Sequence, residues 1–200
     1  MRIILVRHGQ TEWNLQNRIQ GWMDSPLTEK AIIDTQSMVI PDVENPIIYT
    51  SDLGRAVQSS QLLCERFDGR IVVDSRLRER CFGVLEGCVV DQDVELLFEW
   101  HEYEHRYVNK MVSVFGVEAE QELETRIMSF IETLRFQDKS SDVVIVSHGE
   151  WLRAFQNIIQ HQPSWREGQG IVDNNSPIEI IWHELASRKE EICPQPKLPC

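Results

Sequence analysis

Apolar residues along this 200-residue chain fall alternately into short continuous runs and into stripes spaced three and four apart. Residues 2–6 read as a first strand, apolar enough to be buried on both faces. Ser25-Pro26-Leu27-Thr28-Glu29 predicts a turn entering a helix, with Thr28 as its N-cap; the helix runs to about Val39 and Pro41 stops it. Residues 46–49 form a second short strand. Residues 52–67 form a helix on the spacing of Leu53, Ala56, Val57, Leu63, Cys64 and Phe67, and 71–73 form a third strand. Leu123, Ile127, Phe130, Ile131 and Leu134 mark an amphipathic helix over 118–134. A strand at 143–146 follows, then a helix carrying Trp151, Leu152, Phe155, Ile158 and Ile159. The last strand, 177–183, opens with proline and is expected at a sheet edge.

The stretch 87–116 breaks this alternation. It is rich in Trp, Tyr, His and Glu, and reads as an inserted helical lid or shoulder on which Leu97, Trp100, His101 and Glu104 share a face. Phe98, Trp100, His101, Tyr103, His105, Arg106 and Tyr107 could contact a substrate there or pack the insertion against the sheet. Strands alternating with helices predict an α/β fold: a mostly parallel central sheet with helices on both faces. Its ligand site is expected beyond the carboxyl ends of the strands. One domain, 1–185, would include the insertion, and 186–200 would form a polar, proline-containing tail.

Asp and Glu exceed Lys and Arg by twelve (32 against 20), which disfavours a nucleic-acid binder. A small anionic ligand stays open, because a few arginines in a cleft can dominate the local field. The five cysteines (Cys64, Cys81, Cys88, Cys193, Cys200) contain no CxxC pair and fit a reducing compartment. With no signal-peptide pattern and no long apolar run, a cytoplasmic protein without membrane contact is expected. No Gly-rich phosphate loop and no HExxH zinc spacing is present, so no cofactor and no metal is expected. Monomer and homodimer both remain open.

The strands at 2–6 and 143–146 end alike, in Arg7-His8-Gly9 and Ser147-His148-Gly149. Two imidazoles delivered to one end of a sheet can work on one ligand. A neutral His8 is a competent nucleophile once its other nitrogen is tied down, and Gly9 allows the close backbone approach that could supply that carbonyl. Taken alone, it could equally be a structural histidine at a strand end. Arg7 and Arg55, the latter near a helix start, offer planar forks suited to a phosphoryl group, with a solvated helix residue as the plain alternative for Arg55. Arg18 is either a ligand contact or a surface-loop residue. Glu79 is the acid/base candidate; it and Glu86 could instead be exposed ion-pair residues. His148, as imidazolium, could bind phosphoryl oxygens. It cannot serve as base to Ser147, whose side chain points the other way along a strand end.

In order along the chain, Arg7-His8-Gly9-Gln10-Thr11-Glu12-Trp13-Asn14, Arg18-Ile19-Gln20-Gly21, Pro26-Leu27-Thr28-Glu29-Lys30, Ser51-Asp52-Leu53-Gly54-Arg55-Ala56-Val57-Gln58-Ser59, Leu77-Arg78-Glu79, Phe82-Gly83-Val84-Leu85-Glu86-Gly87 and Ser147-His148-Gly149 resemble the histidine phosphatase superfamily, branch one, also called phosphoglycerate mutase-like. The resemblance spans residues 2 to about 183. It implies a phosphoglycerate mutase-like fold, His8 as the phosphorylated residue, Arg7, Arg55 and His148 as phosphoryl holders, and Glu79 as proton donor. Asn14 would contact the same group, and Arg18, Gln20 and Gly21 would stand at the substrate. Glu118, eight residues before Arg126, resembles a structural helix-start feature.

The chain departs from the family at Ala31 (commonly Gly), at Asp34-Thr35-Gln36, at Leu85 (often Trp) and at Ser59 (often Thr). The departures at 31 and 34–36 are expected on a helix remote from the chemistry. The reading that follows is a metal-independent phosphatase acting on a small phosphorylated metabolite through phosphohistidine. The alternatives are a cofactor-dependent phosphoglycerate mutase and a noncatalytic phosphate-binding or scaffold protein.

Overall fold

The computed structural model describes residues 1–40, 42–90, 95–112, 116–137 and 140–181. The expected helix stop at Pro41, parts of the insertion (91–94 and 113–115), the end of the last strand at 182–183 and the tail at 186–200 lie outside them. The elements are β1 (Arg2–Arg7), α1 (Glu12–Leu15), α2 (Glu29–Ser37), β2 (Ile47–Thr50), α3 (Gly54–Phe67), β3 (Arg70–Val73), α4 (Leu97–Glu104), α5 (Glu120–Arg135), β4 (Val143–Ser147), α6 (Gly149–Ile159) and β5 (Ile178–Ile181). Thr28 caps α2, its hydroxyl accepting the Ala31 N–H at 3.0 Å, as the sequence predicts. Short α1, a single turn, carries no apolar periodicity in the sequence. It is closed by Thr11, whose hydroxyl accepts the Asn14 N–H while the Asn14 amide oxygen accepts the Thr11 N–H.

The sheet order is β3-β2-β4-β1-β5. The first four strands are parallel, and β5 closes one edge antiparallel to β1, directly after Pro177. Side chains on a strand alternate between faces, and both faces here are covered. Ile3, Leu5, Val143 and Ile145 pack with Leu123, Ile127, Phe130, Trp151 and Phe155 of α5 and α6. Ile4, Val6, Val144 and Val146 pack on the other side with Ala56 and Leu63 of α3 and with Met38, Ile40 and Val43. This two-sided burial is why the strands read as unbroken apolar runs.

Register then sets the functional end of the molecule. Parallel neighbours β1 and β4 pair Arg7 with Ser147, and the His8 N–H donates to the Ser147 carbonyl at 3.0 Å. Two equivalent strand ends thus place His8 and His148 side by side.

The insertion needs one correction. Its described helix, α4, buries Trp100 alone, against Ile19, Phe82, Leu85, Met111 and Val117. Leu97, His101 and Glu104 are exposed while Trp100 is buried, so the four expected on one face have different surroundings. Large aromatics decide the inner face: Trp100 and Tyr103 meet edge to face at 5.8 Å.

Candidate active site

His8 and His148 sit at the carboxyl ends of the two central strands with ring centroids 5.1 Å apart, close to the spacing of adjacent strands. The His8 tautomer follows from its partners. Nδ1 lies 2.7 Å from the Gly9 carbonyl, which can only accept, and Nε2 lies 3.2 Å from Arg55 Nε, which can only donate. The proton is therefore on Nδ1, and the Nε2 lone pair accepts the Arg55 Nε–H. Burial first, then the charges of Arg55 and Arg7, hold His8 well below the ordinary imidazole range, in the neutral form a nucleophile needs.

Gly9 provides the close approach the sequence suggests. A Cβ there would stand 3.2 Å from the Ala31 side chain, 3.3 Å from Leu27 and 3.4 Å from the Thr35 hydroxyl. The Gly9 N–H donates to Ser59 Oγ at 2.9 Å, and Ser59 in turn donates to the Arg55 carbonyl. The departures at 31 and 35 are therefore not remote from the chemistry. Helix α2 packs directly on the residue whose carbonyl orients His8, because the loop after β1 folds back over that helix.

Arg55, buried at the start of α3, is spread over several acceptors. Nη1 donates to the Met23 carbonyl at 2.7 Å and to Asp24 at 3.1 Å, and Nη2 donates to the Gly21 carbonyl at 2.8 Å. Arg7 donates from Nη1 to the Val172 carbonyl at 3.0 Å, while its Nε is buried without a partner among the described residues.

Glu79 stands where the first turn of α6 begins. Its carboxylate accepts the N–H groups of Arg80 at 2.9 Å, Glu150 at 3.2 Å and Trp151 at 3.2 Å, the last two being orphan donors of that turn. Burial and the neighbouring Glu150 charge outweigh these bonds and raise the Glu79 pKa above the ordinary carboxyl value, towards the protonated form. The Glu118–Arg126 pair sits beneath, with Arg126 donating to the carbonyls of Arg76 at 2.8 Å and Glu79 at 3.0 Å. That is the structural role the resemblance implied.

His148 corrects an expectation. It is fully buried, and neither ring nitrogen has a hydrogen-bond partner among the described residues. Burial, then Arg55, push its pKa well below the ordinary value, so the unliganded site holds a neutral imidazole, not an imidazolium.

A cavity of about 340 Å³ opens over these groups, lined by Arg7, His8, Asn14, Arg18, Gln20, Gly21, Arg55 and Glu79. Of the residues the resemblance assigns to the site, His148 alone lies behind the lining; Glu86 and, from the insertion, Phe98, Trp100, His101, His105 and Tyr107 do not line it either. The Asn14 amide is engaged with Thr11, and Gln20 donates to the Thr11 hydroxyl at 2.8 Å. Arg18 donates to the Gly87 carbonyl and to Gln16, over the Trp13 ring. Glu86 is structural and turned inward, accepting the N–H groups of Trp22 and Phe82; its carboxylate fills the space a Cβ on Gly21 would need, and the φ of +50° there separately favours glycine.

Tyr103 and Arg106 bring the insertion to the cavity, together with Glu150 and Asn174. The last two lie outside the residues that the sequence points to. Glu150 directly follows His148-Gly149, a position that could have flagged it. Asn174, which donates to the His8 carbonyl at 2.7 Å, has no local sequence signal. Among the described residues, no group of three or more His, Cys, Asp or Glu could hold a metal.

The model of the histidine phosphatase superfamily (branch 1) matches residues 3–190. An Escherichia coli protein named "Probable phosphoglycerate mutase GpmB" is 35% identical over 190 residues, covering 92% of this chain and 86% of that protein. Among solved structures, Bacillus stearothermophilus YhfR is similar at 27% identity and a TM-score of 0.77, covering 90% of each chain. A mycobacterial glucosyl-3-phosphoglycerate phosphatase is similar at 26% identity and a TM-score of 0.76, covering 89% of this chain and 88% of that one. With a match along nearly its whole length and His8 lining the cavity with His148 paired behind it, the chain belongs to branch 1 of the histidine phosphatase superfamily.

Proposed function

We propose that this protein hydrolyses a small phosphomonoester by passing its phosphoryl group through His8. The carrying observation is the His8 ring, whose tautomer is fixed by Gly9 and whose unprotonated Nε2, held only by a long hydrogen bond from Arg55, belongs to a ring lining a cavity ringed by guanidinium groups. Phosphoryl oxygens take up the donors that the site leaves idle, the Arg7 Nε–H and a ring N–H of His148, while Arg55 exchanges its long contact with His8 for the incoming group. His8 Nε2 attacks phosphorus in line, the P–O bond to the leaving group breaks, and Glu79 passes its proton to the departing oxygen. Water then attacks phosphohistidine, Glu79 takes the water proton, and inorganic phosphate leaves. An oxyanion close to His148 favours its protonated form, so the charge expected from the sequence belongs to the loaded site. The guanidinium groups supply the charge that a metal ion would otherwise bring.

The test is a phosphatase screen over a panel of small phosphorylated metabolites, with His8→Ala as the blank and a chelator arm. Turnover is expected to survive the chelator and vanish in His8→Ala; wild-type turnover in that variant refutes the assignment. Glu79→Gln is expected to lose far more rate on alkyl phosphates than on an activated aryl phosphate.

The name of the Escherichia coli relative favours one second reading, a phosphoglycerate mutase that returns the phosphoryl group to another hydroxyl. Steady interconversion of 3- and 2-phosphoglycerate with little phosphate release would establish it over the hydrolase. A reducing, cytoplasmic setting is proposed with the function; its support is that Cys64, Cys81 and Cys88 are free thiols. No helix among the described residues is long and apolar enough to cross a membrane.

A further inference from the structure

The insertion and the acid residue meet at one side chain. Glu150, on the first turn of α6, has Oε1 bound by Arg106 Nε at 2.9 Å and by the Tyr107 hydroxyl at 2.6 Å. Its Oε2 is bound by Arg153 Nε at 3.0 Å and Nη2 at 2.8 Å. Arg106 is held in turn: Nη1 donates to the Tyr103 carbonyl at 2.6 Å, Nη2 donates to the Tyr107 hydroxyl at 3.0 Å, and the guanidinium lies 3.8 Å and 4.3 Å from the two ring centroids. Burial disfavours the Glu150 charge, but Arg153, Arg106 and Arg80, with the Tyr107 hydrogen bond, overcome it and hold the carboxyl at about 2. The backbone N–H of this same residue donates to Glu79 at 3.2 Å.

We propose that Glu150 is a positioning residue for Glu79: anchored by Arg106 and Tyr107 of the insertion and by Arg153 of α6, it keeps an anionic carboxylate beside the acid and so couples insertion packing to proton donation. Glu79 faces opposing influences. Arg7 and Arg55 act on it from across the cavity, and three N–H groups point at its oxygens, all favouring the carboxylate. Arg126 adds charge from below through the Glu79 carbonyl. His8 and His148 are neutral, and the Tyr103 phenol, raised by burial, is neutral as well. Glu150 is the anion set against these cations. A group of mere structural value would anchor the insertion without changing when Glu79 holds its proton.

This inference rests on Glu79 as the acid of the proposed reaction, and its test is separable from that reading. The Glu79 carboxyl is titrated by carbon-13 NMR in the full-length protein labelled at glutamate Cδ, with Glu79→Gln supplying the assignment. Glu150→Gln removes the anion and leaves Arg106 and Arg153 uncompensated, so the Glu79 midpoint moves to lower pH. Arg106→Gln removes a cation and moves it to higher pH. Rates on an alkyl phosphate follow, falling about tenfold per pH unit above the shifted midpoint, while the profile for p-nitrophenyl phosphate keeps its shape. Identical midpoints in wild type and both variants overturn the proposal, as does an equal loss on both substrates at every pH. If circular dichroism shows that Glu150→Gln does not fold, Arg106→Gln decides by the same midpoint. Activity surviving in His8→Ala would overturn the phosphohistidine reading and leave the titration result standing.

Discussion

Acidification should unfold this protein in a way that reports directly on its paired histidines. His8 and His148 are buried and held neutral, each with a pKa well below the ordinary imidazole value of 6.5. Their unfolded counterparts take up a proton as pH falls through that value, whereas the folded ones do not. Stability from each is therefore complete above about pH 6.5 and is lost as pH falls below it. At pH 5.5 the loss is RT ln(1 + 10), about 1.4 kcal/mol per histidine and about 2.8 for the pair. Glu79 works in the other direction, because its raised carboxyl binds a proton in the folded state first; this contribution is shared by the variants and drops out of a difference. Denaturant unfolding of wild type, His8→Asn and the double variant His8→Asn, His148→Asn from pH 8 to 5.5 measures the effect. On acidification, wild type should lose about 1.4 kcal/mol relative to the single variant and about 2.8 relative to the double one. Parallel curves over that range would refute the neutral, proton-excluding site.

Two further perturbations test the packing around it. Arg80 pairs with Glu120 with both side chains almost wholly buried, so Glu120→Gln should cost about 3–5 kcal/mol in chemical denaturation by stranding the guanidinium. Replacing both with apolar residues, Arg80→Met with Glu120→Leu, should cost less than that single change. Gly9→Ala pushes a methyl to 3.2 Å from Ala31 and should cost about 1–3 kcal/mol, with a matching loss of turnover as the carbonyl behind His8 moves. Adding Ala31→Gly should restore part of both; no rescue would mean that the Ala31 contact is not the cause.

Local patterning along the chain marks most of the elements and names the candidate groups of the site. Continuous apolar strands, stripes on α3, α5 and α6, and the Thr28 cap are local signals, written in neighbouring residues and legible for that reason. His8, Arg7, Arg55 and Glu79 could be named because the motifs that carry them are short and ordered. The tertiary structure decided how those motifs meet: a parallel register between β1 and β4 sets the two rings 5.1 Å apart. It also decided their charge. The His148 imidazole, unpaired among the described residues, the raised carboxyl of Glu79 and the anionic anchor at Glu150 arise from burial and from groups distant along the chain, as with Glu79 and the N–H of Glu150, 71 residues apart. Protonation depends on the whole surrounding field, and no spacing along the chain encodes that.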